Sequence, residues 1–199
     1  METRSPLGKR VLVLLGKDFS HPHTITSLAR ELGISRVGMW KALQKLKSQG
    51  YVSLDAVGSG KTSTHMITMR WDNILTEKAL SLYLTEEALK QRRWRVNFAE
   101  LEHEVDFAIL FGSILHTPEQ ANDIDLVTVT QKNRFVNIQK TIDAVQKTQT
   151  KSIHAISFTK AECRQELMKP NKALREAITK GVILFGQDNF VRFMKEMAK

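Results

Sequence analysis

Apolar residues recur at helical spacing in several stretches of the first hundred positions, and afterwards strand-like apolar runs alternate with helical stretches. Near the start, Val11-Leu12-Val13-Leu14-Leu15 is a five-residue apolar run that reads as a first helix. Leu28, Ala29 and Leu32 mark the inner face of a second, with Thr26-Ser27 as its expected cap and Gly33 as its stop. Ser35 then opens a third helix running to about Gln49, where Met39, Leu43 and Leu46 recur at i, i+4 and i+7. Gly50 closes it. Residues 51–54 and 65–69 read as short strands flanking a Gly-, Ser- and Thr-rich turn. A junction is expected over 71–84, then a long helix over 85–103.

The second half predicts a different architecture. Residues 105–111 and 124–129 read as buried strands, 135–146 as a helix with Ile138, Ile142 and Val145 inward, and 153–158 as a third strand. Helices over 160–168 and 172–180, a short strand over 182–185 and a final helix complete the pattern. In that last helix Phe190, Phe193, Met194 and Met197 form one stripe. The expected fold class is α+β in two domains, 1–72 and 88–199, with 73–87 as junction.

Charge sharpens this division. The net charge is +9, and residues 1–97 carry 16 basic against 8 acidic side chains, residues 98–199 only 14 against 13. An excess so placed is expected of a module that meets a polyanion. Nothing in the chain approaches the apolar length that spans a bilayer, and the run after Lys9-Arg10 is too short for a secretory signal. The lone Cys163 has no partner for an internal disulfide and reads as a buried bystander. A cytoplasmic setting is the expectation. His21-Pro22-His23 lacks neighbouring ligands and reads as loop.

Residues 26–50 describe a helix-turn-helix whose second helix carries Val37, Lys41, Gln44, Lys45 and Ser48 opposite its apolar stripe. The segment Ile34-Ser35-Arg36-Val37-Gly38-Met39-Trp40-Lys41-Ala42-Leu43-Gln44-Lys45-Leu46 resembles the recognition helix of winged helix-turn-helix regulators, including the biotin-repressor type, over about residues 8–70. The resemblance implies that Ser35, Arg36, Lys41, Gln44 and Lys45 face double-stranded DNA, with Lys61 on the wing. Arg36 and Gln44 would be the base readers and phosphate contacts would carry the affinity. Gly58-Ser59-Gly60-Lys61-Thr62 is not a phosphate-binding P-loop, because Asp55 stands where that motif needs its first glycine.

The chemistry-bearing motif of the second half is Phe111-Gly112-Ser113, then nine residues, then Asp123-Ile124-Asp125-Leu126. On a strand, Asp123 and Asp125 project to the same side. Paired carboxylates near a Gly-Ser turn suit a cation-dependent phosphoryl-transfer site: hard oxygen ligands take Mg²⁺, and glycine lets backbone approach phosphate. Together, Leu110-Phe111-Gly112-Ser113 and Asp123-Ile124-Asp125-Leu126 resemble the nucleotidyltransferase superfamily that includes DNA polymerase beta. The likeness is greatest to its minimal members, often found as antitoxins, and Lys180-Gly181-Val182-Ile183-Leu184-Phe185-Gly186 is similar to their closing segment. The resemblance spans about residues 88–199. It implies Asp123 and Asp125 as catalytic metal ligands and Gly112 and Ser113 as nucleotide-binding residues, with Mg²⁺ and a nucleoside triphosphate as cofactor and ligand.

Two features depart from that family's pattern. The strand over 152–157 holds no third carboxylate, only His154, which is either a base or an edge histidine. Ile114-Leu115-His116 follows the serine where an Ala-Arg-Gly is common. Three functions therefore stand: a DNA-binding transcriptional regulator whose second domain binds nucleotide with Mg²⁺; an active transferase acting on a protein or small-molecule hydroxyl; and an antitoxin that engages a toxin-like protein. A homodimer is expected by analogy with winged-helix regulators.

Overall fold

In the computed structural model, residues 6–18, 22–58, 64–169 and 172–198 are described. The fold is α+β, and the chain separates into two compact units that meet in sequence between Tyr83 and Leu84. No helix among the described residues is long and apolar enough to cross a membrane.

The first unit contains α1 (Leu7–Lys17), β1 (His23–Thr24), α2 (Ile25–Leu32), α3 (Arg36–Ser48), β2 (Val52–Val57) and β3 (Thr64–Met69). Its antiparallel sheet has the order β1-β3-β2. The cap of α2 is Thr24 rather than the expected Thr26-Ser27. The Thr24 hydroxyl accepts from Ser27 N at 3.1 Å, while Ser27 Oγ accepts from Thr24 N at 2.8 Å. This reciprocal capping box draws the helix start two residues earlier than a lone cap would. Gly33 ends α2 at φ 64°, a left-handed turn that costs glycine little. At α3 the Ser35 hydroxyl accepts from Gly38 N at 3.1 Å, as a serine cap does. Val11, Leu12, Leu28, Met39, Leu43, Leu46, Val52 and Ile67 form the core beneath these elements. Burial of that stripe leaves the opposite face of α3 to water.

Residues 73–87, expected as a junction, lie almost wholly on α4 (Ile74–Lys90), whose first turn is capped by Asn73 Oδ1 accepting from Leu75 N. The long helix expected over 85–103 is not continuous. It breaks at Gln91 into α5 (Arg92–Asn97) and a 3₁₀ segment over Ala99–His103. Trp94 on α5, Phe98 at its end and Leu101 on the 3₁₀ segment enter one core.

The second unit is built on β4 (Phe107–Phe111), β5 (Asp123–Val129), β6 (Ser152–Phe158) and β7 (Val182–Phe185) in the order β6-β5-β4-β7. β4 runs antiparallel to β5 and β7, and β5 runs parallel to β6. A parallel pair needs a crossover, supplied by α6 (Phe135–Gln146). One sheet face packs Ala108, Leu110, Ile124 and Leu126 against Phe98, Leu101, Ile138 and Ile142. The other face, by strand alternation, carries Phe107, Ile109, Asp123 and Asp125. Phe107 there meets Phe190 and Phe193 of α9 (Gln187–Met197) with ring centroids 5.4 Å apart in both cases. On the same sheet, β4 also packs beside α8 (Lys172–Lys180), which follows α7 (Lys160–Met168). In the final helix Phe190, Phe193 and Met194 are buried, and Met197 only partly. Cys163 is buried on α7, and burial pushes its thiol up to about 12, which keeps it a neutral core group.

Candidate functional site

Strand register assembles the acid pair. Asp125 pairs with Phe111 on β4 and with His154 on β6, while Asp123 pairs with Ser152. Residues paired across strands project to a common side. Phe111, Asp125 and His154 therefore stand in a row across three strands, with Asp123 two positions back along β5. His154 Nδ1 lies 3.5 Å from Asp123 Oδ2 and 3.8 Å from Asp125 Oδ1. One ligand atom from each of the three residues lies within 4.8 Å of the other two.

Gly112 completes the arrangement. It leaves β4 at φ 84°, ψ −167°, a region L side chains rarely adopt. A β-carbon there would press into Asp125 Oδ2. The missing side chain is thus the space the Asp125 carboxylate uses. Ser113 follows at the head of a 3₁₀ turn over Ser113–Leu115, exposed to solvent.

The carboxylates do not share one environment. Partial burial, then the neighbouring Asp123 charge, raise the Asp125 pKa above the ordinary carboxylate value, and His154 opposes the rise. Like charges held at short range are costly without a counter-cation. Two carboxylates and an imidazole are a donor set that fits a divalent cation, and the close fit of Gly112 over Asp125 keeps a carboxylate oxygen at this end of the sheet.

A cavity of about 440 Å³ opens beside the turn, lined by Phe111, Gly112, Ser113 and His116 from the β4 exit and by Ala173, Glu176 and Lys180 from α8. Lys180 pairs with Glu176 one helical turn away. It adds a cation to the lining of the cavity that Gly112 and Ser113 also line. Neither Lys180 nor Glu176 is identified as a site residue by sequence reasoning. The only sequence signal is the Lys180-Gly181 opening of the segment likened to the family's closing strand.

His154 is the second addition. From sequence it is either a base or an edge histidine. It sits on the edge strand β6 with its side chain 62% exposed, turned toward both acids. In the basic run Arg92-Arg93-Trp94-Arg95 the first two arginines are exposed, Trp94 is buried, and Arg95 stacks on Phe185 and bonds the Leu184 carbonyl.

On the first unit, Ser35, Arg36, Lys41 and Lys45 are exposed and Gln44 is half-buried, all on or next to the outward face of α3. Trp40, on the flank of that helix, meets the His65 ring of β3 edge-on at 5.3 Å. Lys61 lies outside the described residues. His23, expected in a loop, is instead buried in β1, where it pairs with Ile67 of β3 and its imidazole lies 3.4 Å from Asp18 Oδ2.

The chain matches no protein-family model, no curated protein and no solved structure.

Proposed function

We propose that this chain is a DNA-binding regulator of the winged-helix kind joined to a nucleotidyltransferase-like domain that binds a nucleotide together with a divalent cation. The observation that carries the reading is the row of Asp125 and His154 beside Gly112, with the Gly112-Ser113 turn opening into a cavity that also holds Lys180. Asp123 and Asp125, with His154, would hold the cation. When bound, it supplies positive charge against the phosphates of the nucleotide. The chain's own residues do the rest. Gly112 allows backbone to approach phosphate closely, Ser113 offers a hydroxyl and an N–H, and Lys180 supplies a cation across the cavity. The cavity has the volume of an ordinary small-molecule site.

The N-terminal reading is supported by α3. Its apolar stripe is buried, its basic residues are exposed, and the excess positive charge of the chain lies in the half that contains it. Side chains of that type at the head and outer face of a second helix suit a major groove.

A second reading, turnover, is supported by Lys180, whose cation lines the same cavity as Gly112 and Ser113 and would offset the charge of a departing pyrophosphate. In that reaction an acceptor hydroxyl oxygen forms a bond to the α-phosphorus as the bond to pyrophosphate breaks, and the hydroxyl proton leaves to a base. Labelled nucleoside triphosphates incubated with the protein, a divalent cation and candidate protein or small-molecule acceptors separate the two readings. Saturable nucleotide binding without pyrophosphate release supports the sensor; release that depends on an acceptor supports the transferase. Absence of nucleotide binding under all cations overturns both.

A further inference from the structure

We propose that the acid pair and His154 form a single mixed nitrogen-oxygen cation site that selects a first-row transition ion, Mn²⁺ in the first instance, over Mg²⁺. The inference deepens the reading of Asp123 and Asp125 as cation ligands and rests on it. Its new element is the imidazole.

Three observations converge on His154. It is the register partner of Asp125 on the adjacent parallel strand, so the backbone holds both side chains on one face. Its Nδ1, rather than the more remote ring nitrogen, is the atom nearest both carboxylates, at 3.5 and 3.8 Å. The three ligand atoms form a compact set, none more than 4.8 Å from another. Bonds of about 2.1 Å place adjacent ligands roughly 3.0 Å apart in an octahedron and roughly 3.4 Å apart in a tetrahedron. The observed spacings are a small side-chain rotation from either arrangement, and the exposed histidine has room to make it.

Chemistry then sets the preference. Mg²⁺ is a hard ion that gives up water reluctantly and seeks carboxylate and phosphate oxygen. Imidazole nitrogen suits the first transition row, where affinity for a given site rises from Mn²⁺ to Cu²⁺ and falls back at Zn²⁺. A third carboxylate on β6 would favour Mg²⁺. An imidazole there shifts the balance the other way, while the two aspartates keep the site hard enough for Mn²⁺.

The test uses the full chain, stripped with a chelator, and metal ions alone. Mn²⁺ binding is followed by loss of the free-ion electron paramagnetic resonance signal, with Mg²⁺ as competitor. The wild type is expected to bind Mn²⁺ at least tenfold more tightly than Mg²⁺, and pulsed spectra of bound Mn²⁺ should carry nitrogen modulation. His154→Ala, at an exposed edge position, should lose that modulation and bring the Mn²⁺-to-Mg²⁺ ratio down by about tenfold. His154→Asp should raise Mg²⁺ affinity above wild type. Equal affinity for the two ions, or nitrogen modulation that persists in His154→Ala, overturns the proposal. So does a Mn²⁺-to-Mg²⁺ ratio unchanged by both variants, each checked for folding by circular dichroism. Nucleotide titrations run in parallel keep the two ideas apart. Mn²⁺ held through His154 with no nucleotide bound would sink the nucleotide reading alone. Nucleotide binding with no histidine-dependent metal preference would sink this one alone.

Discussion

The Asp125 carboxylate occupies the space that a β-carbon on Gly112 would need, so the turn and the acid are one structural unit. Gly112→Ala meets two obstacles: a backbone at φ 84° and a collision with Asp125 Oδ2. The backbone strain alone costs on the order of 1–3 kcal/mol. The expected outcome is a lower melting temperature together with at least a tenfold loss of divalent-dependent nucleotide binding in calorimetry. Retention of wild-type affinity would show that the carboxylate can move aside without consequence.

Asp125→Asn separates function from stability. Burial and the neighbouring Asp123 raise the Asp125 pKa, so its charged form is disfavoured by folding. A raised acid contributes stability when protonated and loses it as pH rises from the ordinary 3.8 through the folded value, leaving a cost at neutral pH. The asparagine variant should therefore melt about 1–3 °C higher than wild type without added cation. It should also bind divalent cation and nucleotide at least tenfold more weakly. A melting point below wild type would mean that Asp125 supports the free fold rather than serving a ligand.

How much of this is legible in the sequence can be argued residue by residue. Asp123 and Asp125 share a face because strand side chains alternate, which spacing alone reveals. Helices α6, α7 and α8 and strand β7 lie over the ranges expected from sequence. His154 is visible but its role is not, since only the register of β6 against β5 sets it opposite Asp125. Lys180 lines the same cavity as the Gly112 turn through tertiary packing of α8 beside β4, which no local pattern encodes. The α2 cap is displaced because Ser27 reads as a cap by itself, yet it acts as the third helical residue answering Thr24. The break at Gln91 escapes a sequence reading because Arg92 to Asn97 continues in helix-forming residues and no glycine or proline marks the turn.

The α3 surface predicts a particular salt response. Lys41 and Lys45 lie one turn apart and are exposed, as pairing with phosphates requires. Each lysine–phosphate pairing removed should reduce the slope of log affinity against log salt by about 0.9. Lys41→Ala and Lys45→Ala together should weaken duplex binding in fluorescence anisotropy and flatten that slope by roughly 2. Gln44→Ala should change sequence preference more than salt slope, because an amide reads base edges and carries no charge. Salt-independent binding by the wild type would count against the groove model.

The last prediction concerns pH and rests on His23. Burial opposes the charged imidazole, but the Asp18 carboxylate 3.4 Å away more than offsets it, and the His23 pKa is raised above 6.5. A raised histidine contributes stability that is fully present below its unfolded value, near 6.5, and is lost as pH climbs through the folded value. The first unit should accordingly melt at lower temperature as pH rises above about 6.5, with duplex binding at fixed salt weakening only if the loss reaches α3. Asp18→Asn removes the partner that holds the proton, so its melting temperature should vary less across the same window and fall below wild type at the acidic end. Nuclear magnetic resonance titration of the His23 ring checks the assignment directly. A midpoint at or below 6.5 would remove the basis of the prediction, whereas a raised midpoint that Asp18→Asn lowers would tie the pH response to this one pair.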